Sequence, residues 1–458
     1  MPSSPQDREG PSEEHPPPRR RRPSRGGRRL SPPFPWRYDA SHPIEVVPTP
    51  EQTKGMRMFW WDGFFAWGSE AIVVQYLPLY ALAYGATAAQ IGLLSAFVSL
   101  AAAVAFFPAA RLAETWGRRK LIVVLAAGLG SRPMLLGLAL LPFFLDGHQV
   151  VYVMMGLASV RSMMIAVAIP AWTSLTADLV PAAIRGRFLS WRNVGMGVAA
   201  LMAAPLAGGI IGWAGFPRGW EVAWFLAFLL GQASTLAYAR IPEPQPARAV
   251  AAKSEGEGRQ LLADRNFLFF CGTTLLWNLS LYTAAPFFNV YLVENLGASA
   301  LSVGVLAACI SLMELVGMWF FGPLVDRRGS KWVMSIAGLG IPLLPWAWVL
   351  VQAPWQVAFV NLAGGFMWAG FNLASLNLLL VTSPEQKRPT YAAAYQSAVY
   401  LSAFLGPLIG GFLVQAYGFR FIFGLSGTAR LLSILLFIRL VREVKPASSL
   451  RSAPAEQG

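Results

Sequence analysis

Five ionisable side chains sit near the middle of long apolar runs: Glu70, Arg132, Arg161, Glu314 and Arg430. Each such charge costs at least roughly 2.5 to 3.5 kcal/mol in the hydrocarbon of a bilayer, so it is seldom kept without a partner, a wet cavity or a task. A carboxylate among guanidiniums has one chemistry above others. It gives up its proton when an arginine pairs with it and takes one up when the pair parts, which ties proton movement to a change of shape. The same residues can instead form a permanent bridge, Glu70 to Arg161 or to Arg132, that only fixes helix packing. Both readings stand for Glu70. For Glu314 and Arg430, an analogous set later in the chain, the structural reading is preferred. Asp62 lies on the run of Glu70, nearer its start.

Few other chemistries have residues to carry them. The three histidines, His15, His42 and His148, lie in a polar tail or a loop, no histidine and cysteine cluster has metal-ligand spacing, and no phosphate-binding P-loop is present. The expectation is no metal, no cofactor and no enzymatic activity. Cys271 and Cys309 fall inside apolar runs and read as small core residues. Lys and Arg number 37 against 23 Asp and Glu, a formal net charge of +14. The cations are scattered through short segments and not gathered on one polar domain, which argues against nucleic acid as a partner.

The elements that must position these charges follow from composition. At 458 residues, 55% hydrophobic and 13% charged, with mean hydropathy +0.48, the chain is too apolar for a soluble domain. Apolar segments of about 20 residues or more, enough to cross a ~30 Å hydrocarbon core as helices, recur twelve times. They run approximately 58–82, 88–109, 120–144, 149–173, 192–214, 220–240, 267–292, 299–321, 332–351, 355–379, 390–415 and 419–440. Their hydrophobicity is continuous, without the alternation of a barrel strand.

Loop charges orient the segments. With the N-terminus inside, the inner loops hold seventeen cations: Arg111, Arg118, Arg119, Lys120, Arg185, Arg187, Arg192, Arg240, Arg248, Lys253, Arg259, Arg265, Arg327, Arg328, Lys331, Lys387 and Arg388. The outer loops hold only Arg218 and Arg420. Positive-inside bias of this size predicts a multi-pass protein of the plasma (inner) membrane with both termini cytoplasmic. Residues 1–55, rich in Pro, Ser, Gly and Arg, read as a disordered basic cytoplasmic tail, an orientation signal before anything more specific. The segment "IPEPQPARAVAAKSEGEGRQ" breaks the lipid-soluble run and predicts a cytoplasmic linker at 241–265. That leaves six-helix bundles at 56–240 and 266–442 and a tail at 443–458.

The two halves repeat. "GATAAQIG" (85–92) returns as "GASALSVG" (297–304), and Leu112, Glu114 and Gly117 return at the same displacement as Leu324, Asp326 and Gly329. "APLAGG" (204–209) returns as "GPLIGG" (406–411). An internal duplication is predicted. The loops "ARLAETWGRRK" and "GPLVDRRGSK" also resemble the signature of the major facilitator superfamily, Gly-x-Leu-Ala-Asp-Arg-x-Gly-Arg-Arg/Lys. In the second, Gly322, Leu324, Asp326, Arg327, Gly329 and Lys331 fall on the pattern, whereas the first has Ala110, Glu114 and Thr115 at three of its positions. "DLVPAAIRGR" (178–187) looks like the family's segment between helices four and five.

This resemblance implies an all-α membrane protein of twelve transmembrane helices in two pseudo-symmetric six-helix bundles. It implies a secondary carrier that moves a small solute by alternating access, monomeric in its bilayer, with protons as a second partner. Glu114, Gly117 and Arg118, with Asp326, Arg327, Gly329 and Lys331, become a cytoplasmic gate that latches when the carrier faces outward; a carboxylate near a helix end, a turn at glycine and several cations can make and break such contacts. Helices one, four, seven and ten line the central cavity in this family, which places Glu70 and Arg161 near the solute path. On helices seven and ten, Asn278, Tyr282 and Asn289, and Trp368 and Asn372, keep helical spacing on single faces and are expected to line the solute cavity. Trp60, Trp61 and Trp220 are expected as interface anchors. Trp191 and Ala200 stand where the glycine pattern of the family's antiporters would have glycine. Export of amphiphilic compounds is slightly preferred over uptake of sugars or organic anions, and a non-transporting receptor or scaffold of the same fold is the rival from another class.

Overall fold

The computed structural model describes residues 48–243, 263–382 and 388–441. Most of the basic tail, most of the linker and the C-terminal tail therefore lie outside the described residues, as do the side chains of Glu114 and Asp326. Among the described residues twelve helical spans follow one another: α1 Pro50–Ala83, α2 Ala88–Trp116, α3 Arg119–Phe143, α4 His148–Leu179, α5 Ala182–Ala214 and α6 Arg218–Ala239 in the first half. In the second half come α7 Arg265–Glu294, α8 Ala300–Arg328, α9 Ser330–Leu350, α10 Pro354–Thr382, α11 Arg388–Tyr417 and α12 Phe419–Leu440.

Local signals explain several boundaries. Thr87 and Ser299, equivalent positions of the duplicated motif, both cap their helices: the Thr87 hydroxyl accepts from the Gln90 amide at 3.3 Å and the Ser299 hydroxyl from the Ser302 amide at 3.2 Å. α7 breaks at Ala285–Pro286 and α9 at Ile341–Pro342, since proline has no amide to continue the ladder. Helices α1, α2, α4, α5 and α8 run six to ten residues past their apolar windows, all at the end that carries the basic loops. Hydropathy sees only the stretch in lipid, while backbone hydrogen bonding continues into water. One consequence is a correction: Arg192, counted above as a loop cation, lies inside α5 and is 6% exposed.

Eleven of these helices are long and apolar enough to cross a membrane. α1 has the length, 34 residues, but Asp62, Ser69, Glu70 and Gln75 dilute its hydropathy. Those residues face protein: Ser69 Oγ donates to the Ala227 carbonyl at 2.7 Å and Asp62 is buried, so polarity here is not polarity offered to lipid.

Packing follows the duplication. Within the first half α1 lies against α5 and α6, α2 against α4, and α3 against α4 and α6; adding six to each number gives the contacts of the second half. The halves meet through α2 on α11 and α5 on α8, again exchanged by the same shift. Glycines set how closely they approach, because a Cβ on Gly304 would stand 2.5 Å from the Ala204 carbonyl oxygen and one on Gly92 would stand 3.0 Å from Gly411 Cα. Two hydrogen-bond groups span the same seam. Tyr76 Oη donates toward the carbonyls of Ala204 (2.8 Å) and Ala300 (3.0 Å), and Asn289 Nδ2 donates to Gln75 Oε1 (2.9 Å). All of these contacts lie toward the ends of the helices opposite the basic loops.

A side chain at Gly92 would meet backbone that cannot swing away. Gly92→Val is therefore expected to force α2 from α11, and disulfide yield between Gln75→Cys and Asn289→Cys in that background should fall several-fold from its value with glycine. An unchanged yield would mean that the seam is not closed through these glycines.

Candidate functional site

A cavity of ≈490 Å³ lies in the N-terminal bundle. One face of α1 supplies Asp62, Gly63, Ala66, Trp67, Glu70 and Val74, two adjoining rows with the three- and four-residue steps of a helix face. From α4 come Ile165, Ala168, Ile169 and Trp172, from α5 Arg192 and Met196, and from α6 Ser234, Thr235 and Tyr238. α3 contributes through a widened π-helical stretch, Val124–Ser131, that carries Ala127 and Gly128 into the wall and ends at Arg132. Such local widening is common where a helix serves a site.

Of the charged groups that line it, Asp62, Glu70 and Arg192 are paired and Arg132 is the exception. Arg161 on α4 donates through Nη2 to Glu70 Oε2 on α1. Arg192 Nη2 reaches Asp62 Oδ2 at 3.4 Å, its Nε donates to the Phe59 carbonyl at 3.1 Å, and its guanidinium lies 4.3 Å from the centre of the Phe59 ring and 5.2 Å from that of Trp172. Ser234 Oγ donates to the other oxygen of Asp62 at 2.7 Å. Arg132 is 7% exposed and, among the described residues, makes no hydrogen bond or ion pair; its Nε is buried without a partner. Its stem packs on α6, where a Cβ at Gly231 would come within 2.6 Å of Arg132 Cδ.

At the basic end of this bundle Arg119, one of the cations assigned above to a loop, is buried and bonds Asp178 at 2.5 Å and Ser174 at 2.8 Å, tying α3 to the end of α4. Arg185 donates to the carbonyls of Ala177 and Val180, a cation closing the C-terminus of α4. Of the expected gate residues, Gly117 (φ +63°) and Gly329 (φ +85°) end α2 and α8 in the left-handed region that glycine tolerates, and Arg118 and Arg327 are exposed. Lys331 is partly buried at the start of α9.

The C-terminal bundle is built differently. Arg430 is 2% exposed on α12, with Nε and Nη2 unpartnered, and Glu314 is partly buried on α8; the two do not pair with each other. Asn278 donates back to the Thr274 carbonyl at 2.9 Å and borders a void of only ≈20 Å³ shared with Trp277, Ser375 and Tyr395. Trp368 packs edge-on against Trp277 (6.1 Å between ring centres) and Phe371 (5.6 Å). Tyr282 lies against Gly406 of α11, Asn289 is engaged with Gln75 across the seam, and Asn372 is exposed. Trp220, expected at the lipid interface, is buried against Tyr80 at 5.3 Å.

Sequence reasoning did not single out Arg192, Ser234 or Trp172. Asp62 and Glu70, eight residues apart on one helix, were the available signal that α1 turns a charged face inward; nothing in the local sequence distinguishes Arg192 from a loop cation.

A sequence profile of the Major Facilitator Superfamily matches residues 60–288 and 268–457. The chain is 32% identical over 168 residues to the multidrug resistance protein MdtG of Enterobacter lignolyticus, a match covering 34% of this chain and 38% of that protein. It is 26% identical over 183 residues to the multi-drug resistance efflux pump PmrA of Streptococcus pneumoniae, covering 39% and 45%. The matches thus span less than half the length of these curated relatives. Among solved structures, the nucleoside transporter NupG superposes with a TM-score of 0.69 at 14% identity, covering 85% of this chain and 100% of that one. A D-xylose–proton symporter superposes with a TM-score of 0.66 at 17% identity, covering 86% and 98%. The profile matches in both halves, joined to twelve helices whose packing repeats after six, leave one assignment: this chain belongs to the Major Facilitator Superfamily.

Proposed function

We propose that this protein is a secondary active carrier that moves a small solute across the inner membrane by alternating access between its two bundles, coupled to protons, in the direction of export. The observation that carries the reading is the bridge between Glu70 and Arg161, which joins α1 to α4 at a cavity large enough for a solute. The bridge can break only if α1 and α4 move apart, so a carboxylate in it is placed to link protons to that movement. The contacts between halves near Tyr76 and Asn289 fit a carrier closed on the outer side, with the basic loops on the cytoplasmic side together with both termini. On the opposite stroke Glu114, Gly117 and Arg118, and Asp326, Arg327, Gly329 and Lys331, form the cytoplasmic latch. From the second bundle Tyr282, Trp368 and Asn372, which stand outside this cavity, meet the solute on that same opposite stroke, and the monomer is the working unit.

Export of amphiphilic compounds is favoured because two relatives carry the names of multidrug resistance or efflux proteins and because the cavity wall is mostly aliphatic and aromatic around its charges. Purified protein sealed into proteoliposomes tests the carrier reading. Counterflow of a labelled solute that raises the thermal stability of the protein is the expected result, since a ligand of the native state raises apparent stability. Saturable binding with no flux under either orientation of the pH gradient would make it a receptor that kept the fold.

A further inference from the structure

We propose that the cavity of the N-terminal bundle is a binding site for an amphiphilic monoanion, its carboxylate or other singly charged acidic head on Arg132 and its flat apolar body against Trp67 and Trp172. The inference rests on the carrier reading only in taking this cavity as the solute site, and binding can be measured without transport.

Charge counting comes first. Two carboxylates, Asp62 and Glu70, face three guanidiniums, Arg132, Arg161 and Arg192, within one bundle core. Glu70 is taken by Arg161 and Asp62 by Arg192 and Ser234, which leaves one positive charge over. That charge belongs to Arg132, buried to 7% exposure and bonded to nothing among the described residues. A buried cation without a bonded partner is strongly unfavourable, and the two carboxylates of α1 that act on Arg132 from a distance, Glu70 and Asp62, are each already bonded to another arginine. The guanidinium is nevertheless accommodated deliberately: Gly231 clears space for its stem, and the π-helical stretch of α3 delivers it to the cavity wall. A neutral occupant would leave the charge unanswered and a cation would add to it. An anion completes the set.

The body of the ligand is set by the remaining wall. Val74, Val124, Ile165, Ile169 and the two tryptophans offer apolar and aromatic surface, and a cavity of ≈490 Å³ falls in the size range of small-molecule sites. Trp67 is half exposed at the cavity edge, so a ring can slide against it without displacing packed core. A hydrated inorganic ion would use the charge and waste this surface.

Three matched probes separate the possibilities: 2-naphthoate, 2-naphthylmethanol and 2-naphthylmethylammonium, titrated by calorimetry and thermal shift into the full-length protein in phosphatidylcholine nanodiscs. Naphthoate is expected to bind at least about tenfold tighter than either of the others. Arg132→Gln should lose about tenfold or more of that affinity, with Arg132→Lys intermediate. The ligand-free Arg132→Gln protein should melt no lower than the native one, because it sheds an unpaired buried charge. Ala127→Leu, which fills the cavity and leaves all three arginines, should also lose naphthoate binding.

Equal binding of the three probes, or naphthoate binding untouched by Arg132→Gln, would overturn the proposal. So would a ligand-free Arg132→Gln protein that melts far below the native one, since Arg132 would then be a structural residue with a partner. Stabilisation by chloride equal to that by naphthoate would overturn the amphiphile and leave an inorganic anion site. Naphthoate binding as expected, with no solute flux in proteoliposomes, would sink the carrier reading and leave this one standing.

Discussion

Glu70→Gln proteoliposomes are expected to lose accumulation driven by a pH gradient by at least about tenfold, in the range of coupling free energies that link two sites, while exchange at equal pH survives in part. Glutamine keeps the size of the side chain and a carbonyl oxygen for Arg161, so the geometry joining α1 to α4 is largely retained. What it cannot do is hold a titratable proton. If the bridge is the coupling element, then removing the proton uncouples the gradient from the solute without stopping the solute from binding or the halves from moving. The pH dependence of accumulation should accordingly flatten in the variant, while the native protein responds to the gradient. Unchanged gradient-driven accumulation would remove Glu70 from the mechanism and make its pair with Arg161 a packing device. A variant that loses exchange as well as accumulation would assign the pair to solute binding or folding, which its thermal stability would then distinguish.

The second large effect concerns stability. Asp62→Leu removes the only carboxylate that bonds Arg192 among the described residues and takes the partner of Ser234 Oγ as well. Breaking a buried pair from one side typically costs about 3 to 5 kcal/mol, because it leaves a buried charge uncompensated. The Phe59 carbonyl and the rings of Phe59 and Trp172 remain around Arg192 and offset part of that loss. A marked fall in melting temperature, followed by intrinsic tryptophan fluorescence in detergent, is therefore expected. Asp62→Leu combined with Arg192→Met should recover most of it, since removing both charges leaves an apolar contact of similar volume. If the single variant melts with the native protein, Arg192 finds other compensation and Asp62 is free for a functional role. The two experiments probe the neighbouring pairs of one cavity for different properties, Glu70 with Arg161 for proton coupling and Asp62 with Arg192 for the integrity of the bundle.

Hydropathy, loop charge and the 212-residue echo were enough to read twelve helices in two related six-helix sets, and the duplicated caps at Thr87 and Ser299 show why the echo is structural. These features are written locally. A run of apolar residues must be helical in lipid whatever its neighbours do, and a glycine that ends a helix with positive φ, as at Gly117 and Gly329, does so through its own backbone. The low hydropathy of α1 was also visible, as Asp62, Ser69, Glu70 and Gln75, though not what they face.

Which charges meet is another matter. Glu70 had Arg161 and Arg132 as candidate partners, and Arg192 stood among loop cations; the structure joins Glu70 to Arg161, turns Arg192 inward to Asp62 and leaves Arg132 over. Asn289, placed by spacing on a cavity face, reaches across to Gln75, and the stripe around Asn278 closes on a void of ≈20 Å³ while the larger cavity opens in the other bundle. The sequence by itself determined the segments and their repetition, because both are properties of consecutive residues. Only the tertiary structure decided the pairs, because a helix rotated by one residue, about 100°, presents different side chains to its neighbour, and that rotation is set by the packing of all the helices together.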